Sequence, residues 1–380
     1  MHTTRRTALA GLTAAAVVPL TVDQAGAFAP PARTKRRHGL PRRPTLVIGH
    51  RGTAGYRPEH TLASYELAAR MGADFMEPDL CATKDGYLVC RHEPEIGGTT
   101  DVSARPEFAG RRTTKSLDGA PITGWFTTDF TLAELKTLRA KERLPQVRQH
   151  NTMYDGLFEI PTFTEVLALR ERISKDLGRE IGVYPETKHP TFFQRLGLAL
   201  EPRLLSILRR HRLNTPDAPV YVQSFEVTNL EDLRDQGLRT NAVQLLSASG
   251  SPYDSTAHGG GPSYADLIKP SGLAGVARYA QGIGPDKNLV IPRNPDTTLG
   301  QPTSLVRDAH HHGLVLHPYT FRAENTFLPA DYQRGTLPTD YGRGIDEQVT
   351  FLRAGIDGVF TDQADIGVLA RTFAHADQRA

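Results

Sequence analysis

Short apolar runs rich in β-branched residues alternate with amphipathic stretches along most of the sequence, and this alternation constrains the fold most strongly. Such runs are typical of buried strands, whereas apolar residues spaced three and four apart indicate helices. The strand candidates are TLVIGH (45–50), DFMEPDL (74–80), IGVYPE (181–186), VYVQSF (220–225), AVQLLS (242–247), GIGP (282–285), LVLHPY (314–319) and GVFTD (358–362). Eight successive strands separated by helical stretches predict a parallel (β/α)8 TIM barrel over residues 45–375.

Two segments interrupt this alternation. Residues from about 94 to 160 are rich in Gly, Thr, Pro and Arg and include one short helical pattern, TLAELKTLRAKERL. An insertion of this length commonly shapes the mouth of a substrate site, so we expect a lid or small subdomain after the second strand. A second segment rich in Gly, Ser and Pro, residues 247–264, follows the fifth strand and predicts another loop at the rim.

The beginning of the chain has the pattern of an export leader followed by a linker. Paired arginines at Arg5 and Arg6, an Ala-rich apolar stretch and a small-residue AGA site at 25–27 resemble a twin-arginine signal peptide over residues 1–27. A basic linker follows over residues 28–44. We therefore expect export to the extracellular, periplasmic or cell-wall space. After the leader, no apolar run is long enough to predict an integral membrane segment.

The leader and linker also explain the basic charge balance. The chain of 380 residues has 45 bases and 42 acids, but residues 1–43 hold eight of the bases and one acid, which leaves 37 bases and 41 acids. The rest of the chain is therefore slightly acidic. We interpret the run RTKRRHGLPRR as a solvated linker, and we expect no nucleic-acid partner.

The segment EPDLCATKDGYLVCRHE contains a DG pair that predicts a hairpin. If Asp85 and Gly86 form a two-residue turn, Cys81 lies opposite Cys90 in a pair whose side chains are close. In an exported protein, such a pair leaves a strained disulfide and two reduced, buried thiols equally open. The same register places Asp79 opposite a histidine, so carboxylates and an imidazole converge.

Polar residues mark the carboxyl ends of the predicted strands, where barrel enzymes carry their active sites. The strand ends carry His50-Arg51-Gly52, Glu77-x-Asp79, Glu186-x-Lys188, Gln223-Ser224-Phe225, His317-Pro318-Tyr319 and Thr361-Asp362. Acids that point inward from an apolar strand are costly unless they are paired or hold a cation. The three carboxylates Glu77, Asp79 and Glu186 predict an all-oxygen site for one divalent cation, Ca²⁺ in preference to Mg²⁺.

Seven ordered strings, spread over nearly the whole chain after the leader, resemble the glycerophosphodiester phosphodiesterases, closest to their periplasmic or secreted branch. The strings are GHRGTAGYRPEHTLASY, GADFMEPDLCATKDGYLVCRHE, GVYPETKHP, YVQSF, GIGPD, LHPYT and GIDGVFTDQAD. The resemblance implies a (β/α)8 barrel that uses one divalent cation, Ca²⁺ or Mg²⁺. Its expected reaction is the hydrolysis of glycerophosphodiesters to sn-glycerol 3-phosphate and an alcohol.

Carried over by position, the resemblance implies a role for each residue of the predicted site. The metal ligands fall on Glu77, Asp79 and Glu186, as the residues alone predict. The two catalytic histidines fall on His50 and His92, and histidine suits proton transfer because imidazole titrates near neutral pH. We assign His50 as base and His92 as acid. Arg51 and Lys188 are expected to bind the phosphate, since an anion that gains charge in the transition state needs nearby cations.

Other residues near these motifs receive open or structural roles. The family usually has Asp after the second histidine, where this chain has Glu93, and we assign Glu93 no function. Glu59 either lies near the metal or caps the following helix. His60 is interpreted as structural, whereas His317 and Tyr319 are left between rim packing and contact with glycerol.

Two other functions stay open at this point. A cyclising phospholipase of the spider-toxin or phosphatidylinositol-cleaving type would use the same barrel and two histidines, but its product would be a cyclic phosphate. The other alternative is a non-catalytic wall-binding domain. The alcohol also stays open, because small glycerophosphodiesters and the ends of wall teichoic acid differ in contacts that the insertion would make.

Overall fold

The computed structural model of the protein describes residues 45–376, so the predicted signal peptide and linker lie outside the described residues. Its strands are β1 (Leu46–His50), β2 (Phe75–Glu77), β3 (Asp79–Ala82), β4 (Leu88–Cys90), β5 (Thr113–Leu117), β6 (Ala120–Gly124), β7 (Gly182–Val183), β8 (Glu186–Thr187), β9 (Tyr221–Ser224), β10 (Asn241–Leu246), β11 (Gly282–Pro285), β12 (Val315–Leu316) and β13 (Gly358–Thr361).

Helices fill most of the connections between these strands. They are α1 (Leu62–Arg70), α2 (Leu132–Leu135), α3 (Phe163–Leu177), α4 (Pro190–Arg195), α5 (Glu201–Arg210), α6 (Val227–Asp235), α7 (Tyr253–Ala257), α8 (Tyr264–Leu267), α9 (Pro270–Val276), α10 (Lys287–Val290), α11 (Leu305–His311), α12 (Gly344–Arg353) and α13 (Ala364–Ala376). Short 3-10 helices cover Val102–Ala104, Pro106–Arg111, Thr127–Asp129, Gln149–Tyr154, Asn325–Phe327 and Ala330–Tyr332. Within residues 45–376, no helix is both long and apolar enough to cross a bilayer.

Parallel pairing joins the strands into a ring that follows chain order. β1 pairs with β2 and β13, β2 with β7, and β3 with β8. From β8 the parallel ladder continues through β9, β10 and β11 to β12. Backbone hydrogen bonds then link β12 and the residues after it to β13, including Phe321 N–H to the Phe360 carbonyl at 2.8 Å. The predicted (β/α)8 barrel is confirmed, and all eight predicted strands contribute to it.

Proline interrupts two of the barrel strands without ending their ladders. Pro78 separates β2 from β3, and Pro185 lies between β7 and β8. Proline has no amide hydrogen to donate, but its carbonyl still accepts, as in the hydrogen bond from Glu186 N–H to the Pro78 carbonyl at 3.0 Å. Because side chains alternate along a strand, Glu77 and Asp79 emerge on the same side at this edge.

Aromatic and branched side chains fill the barrel interior behind this edge. The cluster consists of Ile48, Phe75, Tyr184, Tyr221, Val243, Val315 and Phe360. His317 is only 1% exposed, and its Nδ1 lies 2.9 Å from the Tyr184 hydroxyl. Of the two roles left open for His317, packing inside the barrel is therefore the one that the structure supports.

The long insertion packs on the same hydrophobic core as the barrel and its helices. Its residues Phe108, Phe126, Phe130 and Leu135 are buried within that single cluster. The hairpin of β5 and β6 extends from this core, with most of its residues exposed. The insertion is therefore a packed part of the fold, with a hairpin that projects from it.

The predicted register of the hairpin formed by β3 and β4 is wrong by one residue. The structure pairs Cys81 with Val89, whereas Cys90 lies opposite Leu80. Beyond the two strands, the Thr83 N–H donates to the Tyr87 carbonyl at 2.9 Å, so the turn itself has three residues, 84–86. Gly86 ends the turn with φ of +85°, a left-handed conformation that glycine adopts at little cost. A shift of one residue turns a side chain to the other face, so both cysteines are free and buried.

We predict that both cysteines stay reduced in the folded protein. They lie on opposite faces of the hairpin, and burial raises the pKa of both thiols, which disfavours the reactive thiolate. Thiol titration of protein purified without reductant and then denatured should count both thiols, and dithiothreitol should leave the unfolding temperature unchanged. A count of zero, together with destabilisation by dithiothreitol, would show a disulfide instead.

Candidate active site

Three carboxylates meet at the carboxyl edge of the barrel. Strand pairing places Asp79 beside Glu186, and it places His50 beside Glu77. One oxygen of each of the three acids lies within 4.8 Å of the corresponding oxygens of the other two, and all three residues are buried. Over residues 45–376, this is the one group of acidic, His or Cys side chains with the spacing of a metal site.

Hydrogen-bond donors satisfy only part of this acid cluster. The Arg51 backbone N–H donates to Glu77 Oε2 at 2.6 Å, and the Gln223 side-chain amide donates to Glu77 Oε1 at 3.2 Å. His60 Nε2 lies 2.8 Å from Asp79 Oδ2. Asp79 Oδ1 and Gln223 Oε1 are buried without a hydrogen-bond partner, which is costly for polar atoms. Unpaired oxygens beside three carboxylates fit a hard divalent cation.

The protonation preferences of the three acids show the cost of crowding them together. Burial, followed by repulsion from its two acidic neighbours, raises the pKa of Glu77 well above its usual range. Burial also raises the pKa of Glu186 to about 8, although Lys188 opposes the shift. Burial disfavours ionised Asp79 too, but Lys188 and His60 hold its pKa well below the usual range. A bound cation would offset this repulsion, so Glu77, Asp79 and Glu186 could hold one.

His50 forms a dyad with an acid from the last barrel strand. Its Nδ1 lies 2.5 Å from Asp362 Oδ1. Asp362 also accepts hydrogen bonds from Arg148 Nη2 at 2.6 Å and Arg322 Nε at 2.8 Å, and despite burial these arginines hold its pKa well below the usual range. An ionised Asp362 places the proton of His50 on Nδ1 and leaves Nε2 as an acceptor. Burial lowers the pKa of His50 to about 4, so the ring is neutral at neutral pH.

His92 forms a second dyad, with the adjacent residue of the chain. Its Nδ1 is hydrogen-bonded to Glu93, and its Nε2 lies 3.3 Å from Lys188 Nζ. Arg143 donates to both oxygens of Glu93, at 3.0 and 2.5 Å. Burial, together with the charges of Arg51 and Lys188, lowers the pKa of His92 to about 3. In both dyads, the histidine Nδ1 is thus hydrogen-bonded to a carboxylate, and that carboxylate accepts hydrogen bonds from an arginine.

Two cavities adjoin at this site. The first, of about 750 Å³, is lined by His50, Arg51, Glu77, His92 and Glu186 among others. The second, of about 710 Å³, shares His92 and Glu186 and adds Lys188. The structure thus brings six of the seven predicted site residues to the cavity walls, and the seventh, Asp79, lies buried in the acid cluster.

The position of His92 depends on a different feature from the predicted strand pairing. Arg91, not His92, lies opposite Asp79, because the Arg91 N–H donates to the Asp79 carbonyl at 3.0 Å. β4 ends at Cys90, so His92 no longer follows strand alternation. The predicted pairing of Asp79 with His92 is therefore wrong, although the two residues belong to one site.

Glu59 and His60 support the site from behind. Thr61 caps α1 with its own side chain, which accepts from the Ser64 N–H, so Glu59 is not the cap. Glu59 instead accepts from Arg51 Nη1 at 2.8 Å and from an arginine of the insertion. His60 is fully buried between Asp79 and the Tyr65 hydroxyl, which agrees with its structural interpretation.

Several residues of the site were missed in the sequence. Asp362 was noted only as a strand end, although closure of the barrel places β13 beside β1 and so Asp362 near His50. Glu93 was assigned no function, and its position next to a catalytic candidate was the available signal. Arg143 and Arg148 lie in the insertion, where no periodicity indicated a direction for their side chains.

Comparison with known proteins agrees with this geometry. The model of the glycerophosphoryl diester phosphodiesterase family matches residues 50–366. A glycerophosphodiester phosphodiesterase of Arabidopsis thaliana is 35% identical over 334 residues, which cover 83% of this chain and 82% of the relative. One of Haemophilus influenzae is 29% identical over 343 residues, 85% of this chain and 88% of the relative.

A solved structure supports the fold. It is that of an Oleispira antarctica phosphodiesterase in complex with the product sn-glycerol-3-phosphate, and it superposes with a TM-score of 0.55 at 18% identity. The alignment covers 86% of this chain and 96% of that one. At 18% identity, this similarity shows that the two proteins share the barrel fold and shows nothing more.

We predict that a divalent cation stabilises the folded protein through the acid cluster. After treatment with EDTA, added Ca²⁺ or Mg²⁺ should raise the unfolding temperature, since a ligand at about 100 times its Kd adds about 2.7 kcal/mol. Asp79→Asn should lose most of this response, as measured by differential scanning calorimetry. Glu226→Gln removes another buried acid outside the cluster and should keep the response. Equal shifts in both variants would show that the cation binds elsewhere.

Proposed function

The chain belongs to the glycerophosphoryl diester phosphodiesterase family, and from this premise we propose that it hydrolyses glycerophosphodiesters to sn-glycerol 3-phosphate and an alcohol. One divalent cation, Ca²⁺ in preference to Mg²⁺, is proposed to assist the reaction. The observation that carries the proposal is the pair of histidine dyads beside the buried acid cluster. This combination supplies a base, an acid and a cation site within one pair of cavities.

The charges around the cluster suit a phosphodiester anion. Arg51 Nε lies 3.7 Å from Asp79 Oδ2, and Lys188 Nζ lies 2.8 Å from Glu186 Oε1, so both cations border the proposed metal ligands. The bound metal would act as a Lewis acid for the charge that develops on the phosphoryl oxygens. Arg51 and Lys188 would orient the phosphate by direct contact, Arg51 with a planar fork and Lys188 as a point charge.

The two histidines are proposed to divide the proton transfers. His50 Nε2, an acceptor in the tautomer that Asp362 imposes, takes the proton of the nucleophile, which is water or the glycerol 2-hydroxyl, as the oxygen of that nucleophile bonds to phosphorus. The bond from phosphorus to the alcohol oxygen breaks, and His92 Nε2 donates a proton to that oxygen. Where the 2-hydroxyl attacks, water then opens the cyclic phosphate: His92 takes the proton of the water, and His50 returns its proton to the 2-oxygen. The substrate anion offsets the charges of Arg51 and Lys188, and so favours the protonated form of His92 that this step requires.

The shape of the site agrees with a substrate that has two ester arms. The two cavities meet at His92 and Glu186, and each has a volume typical of a small-molecule site. Polar residues including Asp286 and Asn288 line the first cavity, and the hairpin loop at Asp118 borders the second. A phosphate bound at the junction would direct one arm into each cavity.

The cellular place of the reaction is proposed from the sequence alone. The paired arginines at Arg5 and Arg6 support export by the twin-arginine route. An exported enzyme would meet glycerophosphodiesters outside the cytoplasm, and the ends of wall teichoic acid are a second proposed substrate of the same chemistry.

We predict metal-dependent release of sn-glycerol 3-phosphate from glycerophosphocholine. Protein stripped with EDTA should be inactive and should regain activity with Ca²⁺ or Mg²⁺, because the acid cluster then holds its cation. His50→Ala should lower kcat by about 10²- to 10⁴-fold, the usual contribution of a general base. An enzyme-coupled assay for glycerol 3-phosphate measures the release.

The products of this assay also separate the alternatives. A cyclic phosphate in place of glycerol 3-phosphate would identify the cyclising reaction. If no metal gives turnover of any glycerophosphodiester, including teichoic acid fragments, the hydrolase proposal fails and the wall-binding alternative gains support.

We predict that His50→Ala and His92→Ala respond differently to the leaving group. A 4-nitrophenyl ester of glycerol phosphate needs little protonation as its phenolate leaves, so His92→Ala should recover much of its lost kcat on this substrate. His50→Ala should stay impaired on both substrates, because it lacks the base. Steady-state kinetics on the two substrates provide the test, and recovery of His50→Ala alone would reverse the assignment of acid and base.

A further inference from the structure

We propose that the insertion positions both histidines for catalysis through two arginines of one short segment, residues 143–148. Arg148 acts on His50 through Asp362, and Arg143 acts on His92 through Glu93. This inference rests on the proposed function, since it assigns positioning residues to that reaction. It gives the insertion a role in orienting the base and the acid, separate from any contact with substrate.

The guanidinium of Arg148 is buried and holds Asp362 while it makes hydrogen bonds to two other acceptors. Its Nη2 donates to Asp362 Oδ2 at 2.6 Å, its Nε donates to Glu324 Oε1 at 2.6 Å, and its Nη1 donates to the Ala54 carbonyl at 3.0 Å. Three acceptors in fixed directions leave the planar guanidinium one orientation. The other oxygen of Asp362 is the one that binds His50, so the arginine fixes the direction of the histidine partner.

Arg143 connects the second dyad to the phosphate-binding arginine. It donates to both oxygens of Glu93, and it donates to both oxygens of Glu59 at 2.7 Å each. Glu59 in turn accepts from Arg51. One guanidinium thus bridges the carboxylate that orients His92 and the carboxylate that orients Arg51.

The segment that carries both arginines is braced by its own hydrogen bonds. The Glu142 carboxylate accepts from the Leu144 N–H at 2.8 Å and from the Asn151 side chain at 2.9 Å. Asn151 also donates to the Ala54 carbonyl, as Arg148 does, and the Arg148 N–H donates to the Leu144 carbonyl at 2.8 Å. The loop is therefore fixed on the barrel, and one displacement of it would release both carboxylates.

The ion pair between Arg143 and Glu93 has little structural role. The two side chains are 26% and 31% exposed, and partly exposed ion pairs contribute little to stability. The second pair of Arg143, with Glu59, involves a buried carboxylate that is 4% exposed, so it does contribute to the fold. Arg111 and Glu134 form a pair of the same kind as Arg143 and Glu93 elsewhere in the insertion, with exposures of 34% and 32%. Of these two pairs, only that of Arg143 contacts a histidine of the site. Because Arg143 also pairs with the buried Glu59, the unfolding temperatures of the variants are measured beside kcat to separate positioning from stability.

The experiment compares Arg143→Lys with the matched control Arg111→Lys. Lysine keeps the charge but cannot donate to two carboxylates at once with a planar fork, so Glu93 becomes free to turn. We expect Arg143→Lys to lower kcat for glycerophosphocholine by about 10- to 100-fold, as for other residues that orient a catalytic ligand. KM should stay within a factor of about three, and Arg111→Lys should match the wild type.

A double variant tests whether the effect passes through Glu93. Once Glu93→Gln has removed the charged acceptor, Arg143→Lys should lower kcat little further, because the link to His92 is already broken. The remaining effect of Arg143→Lys passes through Glu59 to Arg51 and should appear in KM, within the same factor of about three. If the losses of kcat in the two single variants multiply in the double variant, the proposed route from Arg143 through Glu93 to His92 is wrong. Arg148→Lys, assayed as far below its own unfolding temperature as the wild type is below its own, should lower kcat without a large change in KM. Its loss of kcat should multiply with the loss caused by Arg143→Lys, because the two arginines act on different histidines.

Nuclear magnetic resonance provides a readout that does not need turnover. The ¹⁵N shifts of His92, assigned with His92→Gln, should report a single Nδ1–H tautomer in the wild type and in Arg111→Lys, but a mixture in Arg143→Lys. Unchanged shifts with unchanged kcat would overturn the inference. A wild type without activity but with the predicted shifts would instead overturn the proposed function and leave the positioning established.

Discussion

Mutual repulsion among three buried carboxylates governs the arrangement of this edge of the barrel. One oxygen of each of Glu77, Asp79 and Glu186 lies within 4.8 Å of the other two, where burial limits screening by water. Their neighbours supply donors or positive charge, from His60 behind Asp79 to Lys188 beside Glu186. Two buried oxygens are nevertheless left unpaired. The folded chain alone does not balance this cluster, and a divalent cation would complete it.

Under the proposed mechanism, the charged groups around the two histidines would serve orientation more than stability. Desolvating Arg148, Asp362 and Glu324 carries a penalty that their attraction offsets only with good geometry, so buried ion pairs are weak stabilisers. Asp362 nevertheless fixes the tautomer of His50. Its buried ion pair with Arg148 also holds the carboxylate in a single direction. The fold thus places costly buried charges where, in the proposed mechanism, direction would matter for proton transfer.

What could be predicted from the sequence depended on how local the signal was. Strand periodicity and strand ends located the barrel and brought Glu77 and Glu186 together, because parallel strands end at one edge. The hairpin register failed because a single conformation, the positive φ of Gly86, adds a third residue to the turn. Arg143 and Arg148 were not predicted, because an aperiodic insertion gives no direction for a side chain.

The insertion borders the second cavity and also holds the carboxylates of both dyads, which under the proposed mechanism would link substrate choice to rate. Its hairpin loop, including Asp118, borders the second cavity, whereas its segment 143–148 holds the carboxylates of the two histidines. The two parts share one packed core, through residues such as Phe126 and Phe130. A core that transmits small shifts couples them. Changes that reshape the cavity for another alcohol would therefore also act on the orientation of His50 and His92, the proposed base and acid.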